Sequence, residues 1–134
     1  MTSTTIPTDV LSRLGAICAP YTELEFAVLV GSRASGKAKP DSDWDIAIRW
    51  RHDVSAYRRL ELTESLRLDL AHLLKVDPEK IDLIDLAAAR LTMRALVAEE
   101  GLVLFGAEGL PWLRFLQTTW AQIEDFEWRR QHAA

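Results

Sequence analysis

The sequence holds a single cysteine, Cys18, set in an apolar run, so neither a disulfide framework nor a cysteine-based zinc site can be built. No stretch approaches the ~18 consecutive apolar residues of a membrane-spanning helix. Met1–Val10 lack the basic start and apolar run of a secretory signal. Nothing addresses the chain elsewhere, so the expected location is the cytoplasm. A basic surplus is missing too: 20 acidic against 16 basic residues give a net charge of −4. That disfavours a long nucleic-acid duplex as partner, because duplex binding needs a basic face to displace counterions. A nucleotide or a short RNA end stays open. His52, His72 and His132 show no metal-ligand spacing and read as non-catalytic. There is no internal repeat and no low-complexity segment.

What is present is enough for one domain. The 134 residues are about half apolar, sufficient for a real core, and residues 1–134 read as a single unit. Val10, Leu11, Leu14 and Ile17 recur at helical spacing after Thr8-Asp9, and Pro20 closes that helix. Phe26 to Val30 is a short apolar run with the signature of a buried strand. Residues 31–42, with two glycines and three serines, read as loop with one helical turn after Ser32. Residues 43–50 alternate and form a strand. Ser55 caps a helix running to about Lys75, with Leu62, Leu66, Leu70 and Leu73 on its apolar stripe. Asp77-Pro78 breaks the chain, and Ile81 to Leu86 returns as a strand. A helix from about Ala87 to Glu100, capped by Gly101, precedes a strand at 102–105. Pro111 sits in the first turn of a last helix over about 110–130. The order predicts an α/β (α+β) fold, a small mixed four-stranded sheet flanked by helices; periodicity does not give the strand order.

The informative segment is Gly31-Ser32, ten intervening residues, then Asp43-Trp44-Asp45. Side chains alternate along a strand, so Asp43 and Asp45 share one face, roughly 6.5–7 Å apart. At about 4 Å and an effective dielectric near 20, two such charges repel by about 4 kcal/mol. A chain that places them together needs a cation to offset the repulsion, or a raised pKa on one of them. All-oxygen ligation suits magnesium or manganese, which bind through carboxylates plus substrate phosphates. Upstream, the apolar strand empties into Gly31-Ser32, where backbone amides at a helix start can cradle phosphate and glycine presents no Cβ. Cradle and carboxylates together describe metal-assisted handling of a triphosphate. Either piece alone is unremarkable: a turn, or a solvated strand face. Arg33, Lys37 and Lys39 are in reach of phosphate from this loop, Arg33 most directly because it adjoins Ser32. A third carboxylate is offered twice, by Asp82 and Asp85, whose opposite parity sends them to opposite faces of their strand.

These residues, Val30-Gly31-Ser32-Arg33-Ala34-Ser35-Gly36 followed by Pro40-Asp41-Ser42-Asp43-Trp44-Asp45-Ile46-Ala47-Ile48, resemble the minimal nucleotidyltransferases (MNT) of the DNA polymerase β-like superfamily. The resemblance extends from the first strand through residues 81–86. It implies a triphosphate held by Gly31 and Ser32, which Arg33 adjoins as a further nucleotide-binding candidate, and two magnesium ions (or manganese) bound by Asp43 and Asp45 with a third acidic residue. The family's apolar-Asp-apolar pattern selects Asp82 and leaves Asp85 to cap the following helix. Short chains of this kind are similar to antitoxins whose partner is a HEPN-domain ribonuclease toxin. The resemblance implies transfer of AMP from ATP to a tyrosine hydroxyl of that toxin. Two alternatives are transfer to a small molecule, as in aminoglycoside nucleotidyltransferases, and a non-catalytic antitoxin that acts by binding alone. The chain departs from the family at Trp44, expected to face the core, and at Ser35, where many relatives carry a basic residue.

Elsewhere, Arg49, Arg51, Arg58 and Arg59 form either a basic rim near the site or a solvated face. Trp112, Trp120 and Trp128, eight residues apart, fan around the last helix. One flank of that helix is expected in the core and another is free for a partner.

Overall fold

The computed structural model describes residues 6–133. The first helix, α1 (Thr8–Cys18), buries Leu14 and Cys18 and ends ahead of Pro20. Strand β1 (Leu24–Val30) leads through Gly31 into a single turn, α2 (Ser32–Ser35), and then by a loop to β2 (Trp44–Trp50). Helix α3 (Ala56–Leu74) starts where the Ser55 hydroxyl accepts the Arg58 amide, the cap expected of a serine there. A 3-10 turn (Pro78–Lys80) opens with the Asp77 carboxylate accepting the Glu79 amide and hands the chain to β3 (Ile81–Asp85). Helix α4 (Leu91–Glu100), β4 (Leu102–Phe105) and the long α5 (Leu110–Gln131), with Pro111 in its first turn, complete the order.

The sheet is mixed, in the order β3-β2-β1-β4. β1 is antiparallel to both β2 and β4, while β2 and β3 run parallel. Alternation along the strands separates two cores. Trp44, Ile46, Ile48 and Trp50 join Leu29 under α1 and α3, where Leu62, Leu66 and Leu70 form the expected stripe. Phe26, Val28, Val30 and Ala47 face the other way, against Val97 of α4 and Phe115 of α5. An aromatic cluster tightens this second layer: Trp112 stands edge-on to Phe26 at 5.1 Å and stacks on Phe115 at 5.5 Å. The Trp50 indole N–H donates to the Thr63 hydroxyl at 3.1 Å, tying β2 to α3.

One helix begins later than its composition suggests. Residues 87–90 were expected inside a helix, but α4 starts at Leu91. The Asp85 carboxylate accepts the Ala87 amide at 2.9 Å, and the amides of Ala88 and Ala89 bond back to the carbonyls of Asp85 and Leu86. The three alanines are thereby committed to a turn, and Asp85 caps that turn rather than the helix.

Close approach of α1 to β4 depends on Gly15. A Cβ built there would stand 2.3 Å from the Leu104 carbonyl oxygen, a contact with backbone that cannot swing aside. Gly15→Ala should therefore lower stability by about 1–3 kcal/mol through overpacking. Alanine's better helix propensity predicts the opposite sign, and the urea midpoint decides between them.

Candidate active site

Asp45 lies in β2 with its side chain on the face opposite Ile46 and Ile48, because neighbouring strand residues alternate. The parallel register pairs Asp45 with Asp82 of β3, so the two carboxylates leave adjacent strands on the same face. Asp43, two residues before Asp45, has the same parity and is exposed. Antiparallel pairing sets Val30, the last residue of β1, beside Asp45. Gly31 follows at once with φ +74°, a backbone that L side chains rarely adopt. A Cβ there would sit 2.4 Å from Asp45 Oδ2. Only glycine lets the Gly31-Ser32 bend lie directly against that carboxylate. The bend continues into α2, where Ala34 and Ser35 amides bond the Gly31 carbonyl. The amides before them begin a helix and have no partner within it.

The electrostatics follow from this packing. Partial burial, then the charge of Asp82, then that of Asp43, hold the Asp45 carboxyl above its ordinary value of 3.8. Asp43 meets a countercharge, with Lys80 Nζ 3.9 Å from its Oδ1. The same ammonium donates to the Asp41 carbonyl at 3.1 Å. Among the described residues, no group of three or more acidic, histidine or cysteine side chains is closed into a ready metal cage. The three aspartates thus share a face and repel one another without forming a complete ligand set. Their chemistry still fits hard divalent cations: every donor is a carboxylate oxygen, and the adjoining bend lies against Asp45 because Gly31 has no Cβ to collide with it.

Asp82, the aspartate that the family resemblance selects, stands with Asp45, and Asp85 does not. Trp44 is buried on the α3 side, as expected. Arg33, expected at the phosphates, is engaged elsewhere. Its guanidinium donates to the carbonyls of Ser42 at 2.8 Å and Pro40 at 3.2 Å and lies 4.5 Å from the centre of the Trp44 ring. It binds the loop that carries Asp43 back onto α2. The residues that a linear reading passed over are Lys80 and the partners of this clamp. Lys80 sits two positions before Asp82, which was its one available signal. Arg51 and Arg58 pair with Asp53 and Glu23 at 3.1 and 3.2 Å, and Arg49 lies at the far end of β2, so these three arginines do not border the carboxylates. Cys18 is inert: burial pushes its thiol up to about 12.

The comparisons with known proteins agree with this architecture. A family model described as "Polymerase beta, Nucleotidyltransferase" matches residues 13–108. The chain belongs to the polymerase β nucleotidyltransferase family. Within it, the chain is 31% identical over 103 residues to the protein adenylyltransferase MntA of Aphanizomenon flos-aquae (strain 2012/KM1/D3). That match covers 73% of this chain and 66% of the relative, slightly under two thirds of the relative's length. Among solved structures, a toxin–antitoxin complex with AMP-PNP superimposes with a TM-score of 0.68 at 24% identity, covering 90% of this chain and 92% of the other. The MNT antitoxin bound to a tri-AMPylated HEPN toxin of Shewanella oneidensis gives a TM-score of 0.61 at 24% identity, with 91% and 90% covered. At these identities the structural likenesses establish the fold.

Two outcomes test this geometry. Because the folded state holds the Asp45 proton more tightly than the unfolded chain does, stability should fall as pH rises from about 3.8 through the raised folded value. Asp45→Asn should accordingly be more stable than wild type at neutral pH and lose that advantage below about pH 3.8; urea unfolding at both pH values measures it. Arg33→Met and Trp44→Leu should each destabilise the chain, and the double variant should cost less than their sum by about 0.5–2 kcal/mol, the worth of a partly desolvated cation–π contact. Additive losses in that cycle would dissolve the clamp.

Proposed function

We propose that this chain is a nucleotidyltransferase antitoxin that transfers AMP from ATP to a tyrosine hydroxyl of a HEPN-domain ribonuclease toxin in the cytoplasm. The observation that carries the reading is the convergence of Asp43, Asp45 and Asp82 on one sheet face beside the Gly31-Ser32 bend. The relatives named above supply the acceptor class: one is a protein adenylyltransferase, and one is an antitoxin seated on an AMPylated toxin.

Each residue has a part. Gly31 admits the phosphate chain, and Ser32 offers its amide and hydroxyl at the start of α2. Arg33 serves the phosphates indirectly, by fastening the 40–42 loop so that Asp43 stays beside the bend. Asp43, Asp45 and Asp82 supply the carboxylate oxygens for two magnesium ions, or manganese. Such ions, when bound, neutralise triphosphate charge and acidify a nearby hydroxyl. Lys80 neutralises Asp43 until a stronger countercharge displaces it. The tyrosine oxygen bonds to the α-phosphorus, the bond from that phosphorus to the bridging oxygen breaks, and pyrophosphate leaves. The phenolic proton passes to Asp82, the most exposed of the paired strand carboxylates.

The test is incubation of the purified chain with ATP, magnesium and the product of its neighbouring gene, followed by mass spectrometry of that partner. The expected result is an added adenylate on a tyrosine, reduced by about 10²-fold or more in an Asp43→Asn, Asp45→Asn double variant. If the double variant still silences the partner at normal abundance, the antitoxin acts by occlusion, and the transfer reading fails.

A further inference from the structure

We propose that the cavity enclosed by the far end of β2, α4 and α5 is a binding site for a phosphate group, separate from the carboxylate site. The cavity has a volume of about 240 Å³. Arg49 lines it from β2, Arg94 from α4 and Arg114 from α5, so three arginines from three elements border one cavity in a chain whose net charge is −4, with Arg94 also donating to the Gln122 side-chain carbonyl. Glu25 also lines the cavity, its carboxylate 4.0 Å from Arg49 Nε. It cancels one of the three charges and leaves two, the charge a phosphate monoester carries near neutral pH. Guanidinium forks match such an oxyanion geometrically as well as electrically.

A second observation points to the same occupant. Thr119 is 1% exposed, lines this cavity, and its hydroxyl has no hydrogen-bond partner. A helical threonine usually returns its hydroxyl to a carbonyl one turn earlier, and leaving it unpaired in the interior costs stability. An oxygen-rich ligand in the cavity accepts that hydroxyl. Thr118, beside it, lies one turn after Arg114 on the same helix face and adds a second hydroxyl to the wall. His52 also lines the cavity.

The cavity is not an extension of the nucleotide site. Arg49 has the parity of Asp45 and shares its face, but four residues of strand separate them by about 13 Å. The inference therefore stands whether or not the transfer reading holds.

Nuclear magnetic resonance of the full chain, without divalent cations, provides the test. Inorganic phosphate is titrated at constant ionic strength against chloride. The expected result is saturable movement of the Thr118 and Thr119 amides with a dissociation constant on the order of 1 mM. Arg94→Gln with Arg114→Gln should weaken binding by about tenfold or more. Thr119→Val, which keeps the shape and folds without an unpaired hydroxyl, should weaken it severalfold. A parallel titration with AMP separates the sources: tighter binding than phosphate assigns the group to a nucleotide, and equal or absent binding assigns it to the free ion. Movement that fails to saturate, that chloride reproduces, or that survives both sets of substitutions would overturn the site.

Discussion

The structure turns on the parallel pairing of β2 with β3, which sets Asp45 directly beside Asp82. Parallel register gives two carboxylates neighbouring positions on one face, and Asp43 follows from strand alternation alone. No hydrophobic gain compensates for bringing these charges together. Partial burial and mutual repulsion raise the Asp45 carboxyl, so the arrangement costs the fold stability. Every other feature of the site makes sense as a device for tolerating or using that cost. Lys80 covers Asp43, Gly31 yields the space a Cβ would take against Asp45, and Arg33 pins the loop between them.

The two-layer packing makes this placement rigid. The apolar side chains of β2 that face α1 and α3 are fully buried or nearly so. A slip of one residue would exchange Ile46 and Ile48 with Asp45 and Arg49, driving two charges into that core. The hydrophobic layer on one side of β2 thus fixes the polar layer on the other. The same alternation carries Arg49 to the opposite end of the strand, so acid and base are segregated along one face. The last helix shows a comparable division. Trp112 and Phe115 belong to the core, whereas Trp120, Phe126 and Trp128 stand 48–59% exposed on the outer half of α5.

Much of this was legible in the linear order of residues, for reasons that can be stated. Strand alternation placed Asp43 with Asp45 and Trp44 opposite them, and parity separated Asp82 from Asp85. Ser55 and Pro111 marked helix starts because their chemistry suits those positions. What sequence could not supply was three-dimensional neighbourhood. The role of Arg33 depends on carbonyls seven and nine residues away and on a tryptophan ring beyond them. Lys80 finds Asp43 because parallel pairing sets the starts of β2 and β3 side by side. Helix propensity favours the alanines after Asp85, but the Asp85 carboxylate imposes a turn on them. The mutual strand order, β3-β2-β1-β4, likewise had no signature in periodicity.

The proposal built on the carboxylate geometry and on membership of the polymerase β nucleotidyltransferase family is that these aspartates take up nucleotide together with divalent metal. Isothermal titration calorimetry of ATP into the chain, with and without magnesium, tests that claim most directly. The account predicts a saturable heat with magnesium that disappears when the metal is chelated. Equal binding in chelator, or no binding in either condition, would contradict it.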